Sequence, residues 1–418
     1  MFLNMMQDWA GWLLMLFCFS TVLMWKRVRS DSKLLYAIWF CIFLHHVVAV
    51  LNAYGGDVIG TEGDARTLHF FGVDTAASSK PEAGFWANPR VVYTNSLGFI
   101  YRAFGATFLL GDELSVLAFA LSCVVLVKLI DLLDLRRFRV WIVLFFGLLP
   151  SSVIFSSVTL RESWQALFFL LSVYWTIRLW KRPGILIFLF MLMSAFCMAL
   201  LHGGLKGYAV YMILASVYWV FGCKKSASRA WYVRYLFAGL LVACVIMLTQ
   251  KMGWYVTVGQ GLAGVEDFRI SAVTITDDNR AFYGVMLDTS SVLGIVKSIS
   301  LIFVQFMFAP FPWQVEYVKD IYAMLESMLR FLLLFFALFS WRRSSGDARS
   351  YYGFLLIIVL GMELMWSLGT INWGTAARHH VPGYGVIVLL GVPGLILFMR
   401  RLHFEMFGRR KDNTMLPK

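Results

Sequence analysis

The chain has 418 residues, 60% of them hydrophobic, 17% aromatic and only 15% charged, with a mean hydropathy of +0.72. A soluble domain carries about a quarter charged residues, so that class is excluded. The net charge of +13 raises nucleic acid as a partner, but in a chain this apolar the distribution of charge must be read first.

Apolar runs able to cross a hydrocarbon core of about 30 Å recur along the whole length. The expected fold is an all-α integral membrane bundle of about eleven transmembrane helices with interfacial or re-entrant helices, one polytopic domain over 1–418. Trp9–Trp25 is the first span. Its positive charge, KRVRSDSK, follows the apolar run and no small-residue cleavage site comes after it, unlike a signal peptide. Leu34–Tyr54 is the second span, followed by the polar loop 55–93. Asn95–Leu110, amphipathic and interrupted by Gly98 and Gly105, suits an interfacial helix.

Further spans are expected at Leu114–Ile130, Val140–Phe155, Trp164–Trp180, Ile185–Leu201, Tyr208–Phe221 and Leu236–Gln250. A second polar loop covers 251–291, and Met328–Trp341, Tyr352–Leu368 and Gly385–Met399 complete the set. The run Val292–Ala309 is expected to lie in the interface, re-enter or be broken, and to end at Pro310 and Pro312. The six cysteines lie in or beside apolar runs and form no CxxC pair, so neither a zinc site nor a disulfide framework is indicated.

The linkers Lys26–Lys33, Lys128–Arg139, Arg178–Arg182, Lys224–Arg234, Arg342–Arg349 and Arg400–Lys418 hold 24 of the 37 Lys and Arg residues and 6 of the 24 acids, a net of +18. The remainder nets −5. By the positive-inside rule the basic set is cytoplasmic, with the N-terminus outside and the C-terminus inside. The charge is then a topology signal, the bilayer is the partner it implies, and nucleic acid loses its support.

This topology puts five polar clusters on the outer face: GDARTLH, SSVTLRES, LHGGLKGY, PFPWQVE and NWGTAARHH. Ionisable groups at membrane depth are costly and mark cavities or pathways. Asp64, with Glu62 nearby, reads as a general base or a divalent-metal contact, with Arg66 and His69 as candidate substrate or phosphate contacts, or else as a helix N-cap with Arg66 and His69 following at helical spacing. Arg161 suits bidentate contact with phosphate, held by Glu162, or the two form a structural ion pair. Arg378 beside His379 and His380 suits a phosphate clamp or proton donor, although adjacent histidines face different ways and make a poor metal pair. Glu363 is an ionisable group inside an apolar run and needs a partner. His202 and Lys206 flank glycines at a helix end, where an anion site and a plain cap compete. Trp313 can stack on a sugar with Glu316 bonding hydroxyls, or belong to an interfacial aromatic belt. His45 and His46 in the second span are either similar intramembrane ionisable groups or plain packing and hydrogen-bonding residues.

The combination of EGDARTLH after two spans, LPSSVIFSSVTLRES, APFPW and a late GTAARHH resembles bacterial polytopic glycosyltransferases of surface polysaccharide assembly, the GT-C-like enzymes and Wzy-type repeat-unit polymerases. The resemblance implies an inner-membrane enzyme using polyprenyl-phosphate or -diphosphate donors, together with other polysaccharide export proteins. It implies Asp64 or Glu62 as base or metal contact, and Arg161, Arg378 and His379 or His380 at the diphosphate. A large soluble C-terminal domain, as in eukaryotic-type GT-C enzymes, is not expected from these 418 residues. A flippase of lipid-linked oligosaccharides is the rival, and would carry ionisable groups at several depths. The transferase reading requires Asp64, Arg161 and Arg378 to meet around one site.

Overall fold

The computed structural model describes residues 8–58, 60–61, 63–78, 88–222, 264–267, 269–271 and 281–403. Glu62, the expected span Leu236–Gln250 and the basic run Lys224–Arg234 lie outside the described residues. Among the described residues the chain is helical, with one isolated β-bridge between Phe282 and Asn372 and no strand.

The first unit comprises α1 (Trp9–Leu23), the short α2 (Lys26–Arg29) and α3 (Ser32–Gly55). Asp31 caps α3 by accepting from the Leu34 N–H. The first polar loop holds α4 (Asp64–Ala77), and α5 (Pro89–Phe104) packs against it. α5 starts earlier than expected, at the Asn88 cap, and runs through Gly98 without a break. A side chain on Gly98 would meet Thr75 at 2.6 Å, so the glycine serves the close approach of α4 rather than ending α5. Gly105, with a positive φ, does end it.

Next come α6 (Phe108–Leu132), α7 (Arg139–Leu148) and α8 (Pro150–Phe155). The expected span Val140–Phe155 is therefore two helices meeting at Leu149–Pro150, where proline cannot donate to the helix ladder. Residues 156–161 leave the helix altogether yet are mostly buried. Then follow α9 (Glu162–Lys181), α10 (Ile185–Ala199), α11 (Gly203–Val217), α12 (Val292–Phe308), α13 (Val318–Arg343), α14 (Gly346–Leu368), α15 (Trp373–His379) and α16 (Val381–His403). α12 is unbroken and stops at Phe308, with Pro310 just beyond.

Five helices, α3, α6, α13, α14 and α16, are long and apolar enough to cross a membrane, and α1, α10 and α12 are apolar but shorter. The fold is that of an all-α, multi-pass membrane protein. One apolar core runs through most of the helices. A smaller apolar cluster gathers Ala65, Leu68, Val158, Leu160, Leu201 and Ala377, drawn from four polar motifs, around Tyr93, Tyr101 and Phe155.

The broadest helix contact is that of α13 with α16. It is close because α16 presents glycine: a side chain on Gly391 would lie 2.4 Å from the Leu333 carbonyl oxygen. Backbone cannot yield as a side-chain tip can. Gly391→Ala is therefore expected to destabilise the detergent-purified protein by about 1–3 kcal/mol in thermal unfolding. Gly55→Ala, with open space around it, is the control and should be neutral or slightly stabilising.

Candidate functional site

The site is assembled by a buried stretch of irregular backbone. Non-helical chain at membrane depth is tolerated only where protein satisfies its polar groups. Here Thr159 donates to Asp112 at 2.7 Å, Asp112 also accepts from Asn52 at 2.8 Å, and Tyr93 donates to the Leu160 carbonyl at 3.2 Å. These bonds from α3, α5 and α6 fix where α9 begins, and so where Arg161 and Glu162 stand.

α15 is positioned as firmly. Asn372 caps it by accepting from the Thr375 N–H at 2.7 Å, and Trp373 donates its indole N–H to Asp320 at 3.3 Å. The fully buried Arg269 donates to the carbonyls of Thr370 at 3.1 Å and Val285 at 2.7 Å, closing the exposed end of α14. α15 thus carries Arg378, His379 and His380 into the structure at a fixed height.

Arg378 forms an ion pair with Asp64 and lies 3.1 Å from a carboxylate oxygen of Glu162. Burial alone lowers the basicity of Arg378, but Glu162 and Asp64 outweigh it and hold the guanidinium above its ordinary pKa. The three expected corners therefore converge: Asp64 and Arg378 touch, and Arg161 adjoins Glu162. Asp64 occupies the first turn of α4 but makes no side-chain cap bond to it; its partner is Arg378.

His202 caps α11, its Nδ1 accepting from the Gly204 N–H at 3.2 Å, so its proton sits on Nε2. Its ring lies 4.6 Å from Trp366, which stacks on His379 at 4.0 Å. Thr370 donates its hydroxyl to the Trp366 carbonyl and meets His379 Nδ1 at 2.7 Å. The hydroxyl proton is used, so His379 Nδ1 is the donor there and Nε2 keeps the lone pair. Burial, then Arg161 and Arg378, push the pKa of His202 down to about 3. Burial first and Arg378 next lower His379. Both rings are neutral at neutral pH.

Several polar atoms here are buried without a hydrogen-bond partner in the protein: Arg161 Nε, Trp366 Nε1, Ser163 Oγ, Glu162 Oε2 and the amide of Gln165. Each such group costs about 1–3 kcal/mol unless something outside the chain satisfies it. They concentrate at the start of α9 and on α14, and donors predominate.

Other expected residues stand elsewhere. His69 stacks on Phe108 at 3.8 Å and bonds the Tyr101 hydroxyl at 2.7 Å, a packing role between α4, α5 and α6. Arg66 pairs with Asp57 at 2.6 Å, in the open. Trp313 is 79% exposed and stacks on Phe311, while Glu316 is exposed. Lys206 is buried one turn beyond His202. His380 turns the opposite way from His379, donating Nε2–H to the Phe306 carbonyl at 3.0 Å and facing Glu363 at 2.5 Å. Glu363 thus has its partner, and both belong to a buried layer beneath the site. That layer includes residues not foreseen: Arg330 bonds the Met307 carbonyl at 2.8 Å and Tyr384 at 2.7 Å, and Tyr384 donates to Glu326. The void among Glu326, Arg330, Trp373 and His380 is only about 10 Å³. Cavities of about 510, 550 and 1090 Å³ open instead at the basic end of the bundle.

Among the described residues, the one group of three metal-capable side chains is Cys18, His46 and Glu113, away from Asp64. His46 faces Glu113 at 2.7 Å, and His45 stacks on Phe119. No family model matches the chain, and no characterised protein matches it in sequence.

His69 gives a pH test of this arrangement. Burial pushes its pKa down to about 4, against about 6.5 in the unfolded chain. Between those values the unfolded state binds more protons, so stability falls as pH drops from 7 to 5. The melting temperature should fall over that range, and His69→Phe should flatten the fall. An unchanged pH slope in His69→Phe would refute the buried, neutral placement.

Proposed function

We propose that this chain is a bacterial inner-membrane glycosyltransferase or polysaccharide polymerase, acting on the outer face with polyprenyl-phosphate- or -diphosphate-linked sugar donors. The observation that carries the reading is the pair of buried donors without partners at Arg161 and Trp366, beside Arg378 with its two carboxylates and a neutral histidine. A ligand rich in acceptor oxygens, such as a phosphate or a sugar, satisfies such a set. The orientation, N-terminus outside, rests on the bias of Lys and Arg.

In this mechanism a hydroxyl of the acceptor sugar loses its proton to a base and its oxygen attacks the anomeric carbon of the donor. The bond from that carbon to the phosphate oxygen breaks, and the negative charge passes to the lipid phosphate. Arg161 and Arg378 stabilise that charge. His379 Nε2, which holds a lone pair, or Asp64, once released from Arg378, takes the proton. An incoming phosphate competes with Asp64 and Glu162 for Arg378, so the closed arrangement is a resting state. A divalent cation at Asp64 remains part of the proposal only as a further means of balancing the phosphate charge.

The alternative is a flippase of lipid-linked oligosaccharides. One observation favours it: Asp112, Glu113, Glu326, Arg330 and Glu363 are buried ionisable groups inside helices. The two readings part in proteoliposomes supplied with lipid-linked repeat units, where only the transferase lengthens the glycan.

Arg161→Gln and Asp64→Asn are expected to lower polymer formation by about 10²–10³-fold at normal protein levels. Asp64 is 63% exposed, so its substitution should spare the fold. Arg378→Ala strands the buried Glu162 and should also reduce the amount of protein in the membrane. Normal polymer from both Arg161→Gln and Asp64→Asn would sink the assignment.

A further inference from the structure

α1 and α6 approach each other closely at Gly11, where an added side chain would come within 2.8 Å of Leu109. Two turns further along α1 the same face carries Cys18, and one turn beyond Leu109 on α6 stands Glu113. α3 brings His46 to the same place. The three side chains each offer one ligand atom, these atoms all lie within 4.8 Å of one another, and all three residues are buried. Cysteine spacing gave no sign of the group, because each member comes from a different helix.

A hydrogen bond alone does not account for it. The chain holds a second buried histidine–glutamate pair, His380 with Glu363, and the comparison separates the two. His380 uses both ring nitrogens, Nδ1 toward Glu363 and Nε2 to the Phe306 carbonyl. Among the described residues no third metal-capable side chain joins that pair. His46 instead turns Nδ1 to both oxygens of Glu113, at 2.9 and 2.7 Å, while its buried Nε2 has no hydrogen-bond partner. Glu113 has no ion-pair partner other than His46 among the described residues. A buried carboxylate is poorly satisfied by one imidazole, and here a sulfur stands beside it.

A divalent cation removes the imbalance. The thiolate and carboxylate carry two negative charges and the ligating imidazole is neutral, so the filled site has no net charge, as an apolar interior requires. Sulfur, nitrogen and oxygen together suit zinc, whereas magnesium and calcium take oxygen alone. Zinc bonds of about 2.0–2.3 Å set tetrahedral ligand atoms roughly 3.3–3.7 Å apart, so shifts of about 1 Å bring these three into range. We propose that Cys18, His46 and Glu113 bind one zinc ion, which ties α1 to α3 and α6. The assignment does not rest on the transferase reading, since none of that site's residues is shared.

The test is metal titration of the untagged full-length protein, purified in detergent and stripped with chelator, using zinc and then cobalt as its spectroscopic substitute. One equivalent of zinc should bind per chain, and cobalt should give a thiolate-to-cobalt charge-transfer band in the near ultraviolet. Cys18→Ala should abolish that band and weaken zinc by at least about a hundredfold, since losing even an outer hydrogen-bond partner of a ligand costs 10–100-fold. Cys197→Ala, at a half-buried cysteine of α10, should change neither. Glu113→Gln can still accept a hydrogen bond from His46 but lacks the charge, so it should fold and lose tight zinc, and it keeps the test alive if Cys18→Ala does not fold. Absence of stoichiometric zinc, a cobalt spectrum without the thiolate band, or zinc affinity in Glu113→Gln equal to that in Cys197→Ala would overturn the site.

Discussion

Arg378 is held between two carboxylates that come from opposite parts of the chain, Asp64 from the first polar loop and Glu162 from the start of α9. A guanidinium in a mostly buried position is tolerable only when it is paired, and breaking the buried pair, here that with Glu162, by removing one partner costs about 3–5 kcal/mol. That requirement fixes the spacing of α4, α9 and α15. It also explains the investment in polar anchoring below: Asp112, Asn52 and Tyr93 secure the irregular stretch that delivers Glu162. Asp320 and Arg269 secure the turn that delivers Arg378. The helices form a scaffold, and two short connections carry the chemistry.

Packing supports the same convergence from the apolar side. Four polar motifs lend hydrophobic residues, among them Leu68, Leu160, Leu201 and Ala377, to a single cluster. Burial of those side chains draws the motifs together regardless of their charges. The fifth motif, around Pro310, lends none to it, and its Trp313 is correspondingly exposed. Membership of that small cluster separates residues that meet from residues that merely share a face.

Helices were legible wherever a long apolar run had polar flanks, as in α3, α6, α14 and α16, because one-dimensional hydropathy is sufficient there. It misled at Val140–Phe155, where Pro150 breaks the helix and the run stays apolar. Asp64, Arg161 and Arg378 were recognisable because they stand in polar clusters between spans. Asp112, Glu113, Glu326 and Arg330 were not, since each sits at the margin of an apolar run and reads as a linker. Their partners come from other parts of the fold, Thr159 of the irregular stretch for Asp112 and Tyr384 of α16 for Glu326 and Arg330. Such pairings have no signature at any fixed spacing. His69 failed for the converse reason: it lies within a polar motif, but the pitch of α4 turns it onto Phe108 and Tyr101.

Three consecutive residues, Arg378, His379 and His380, face three different environments, and this restricts how the site can open. His380 is fixed to the Phe306 carbonyl and Glu363, and His379 to Thr370 and Trp366, in surroundings that close packing keeps rigid. Arg378 therefore cannot travel far. Of its two partners, the Glu162 side chain is 4% exposed and the Asp64 side chain 63%. Asp64 also follows Gly63, whose φ of 90° marks a backbone position without side-chain hindrance. If an acceptor-rich ligand takes hold of Arg378, as proposed, the bond with the lower cost of release is the one to Asp64. Glu162 then stays as the fixed counter-charge, and the exposed Asp64 side chain, not the packed helix behind it, is the group that moves.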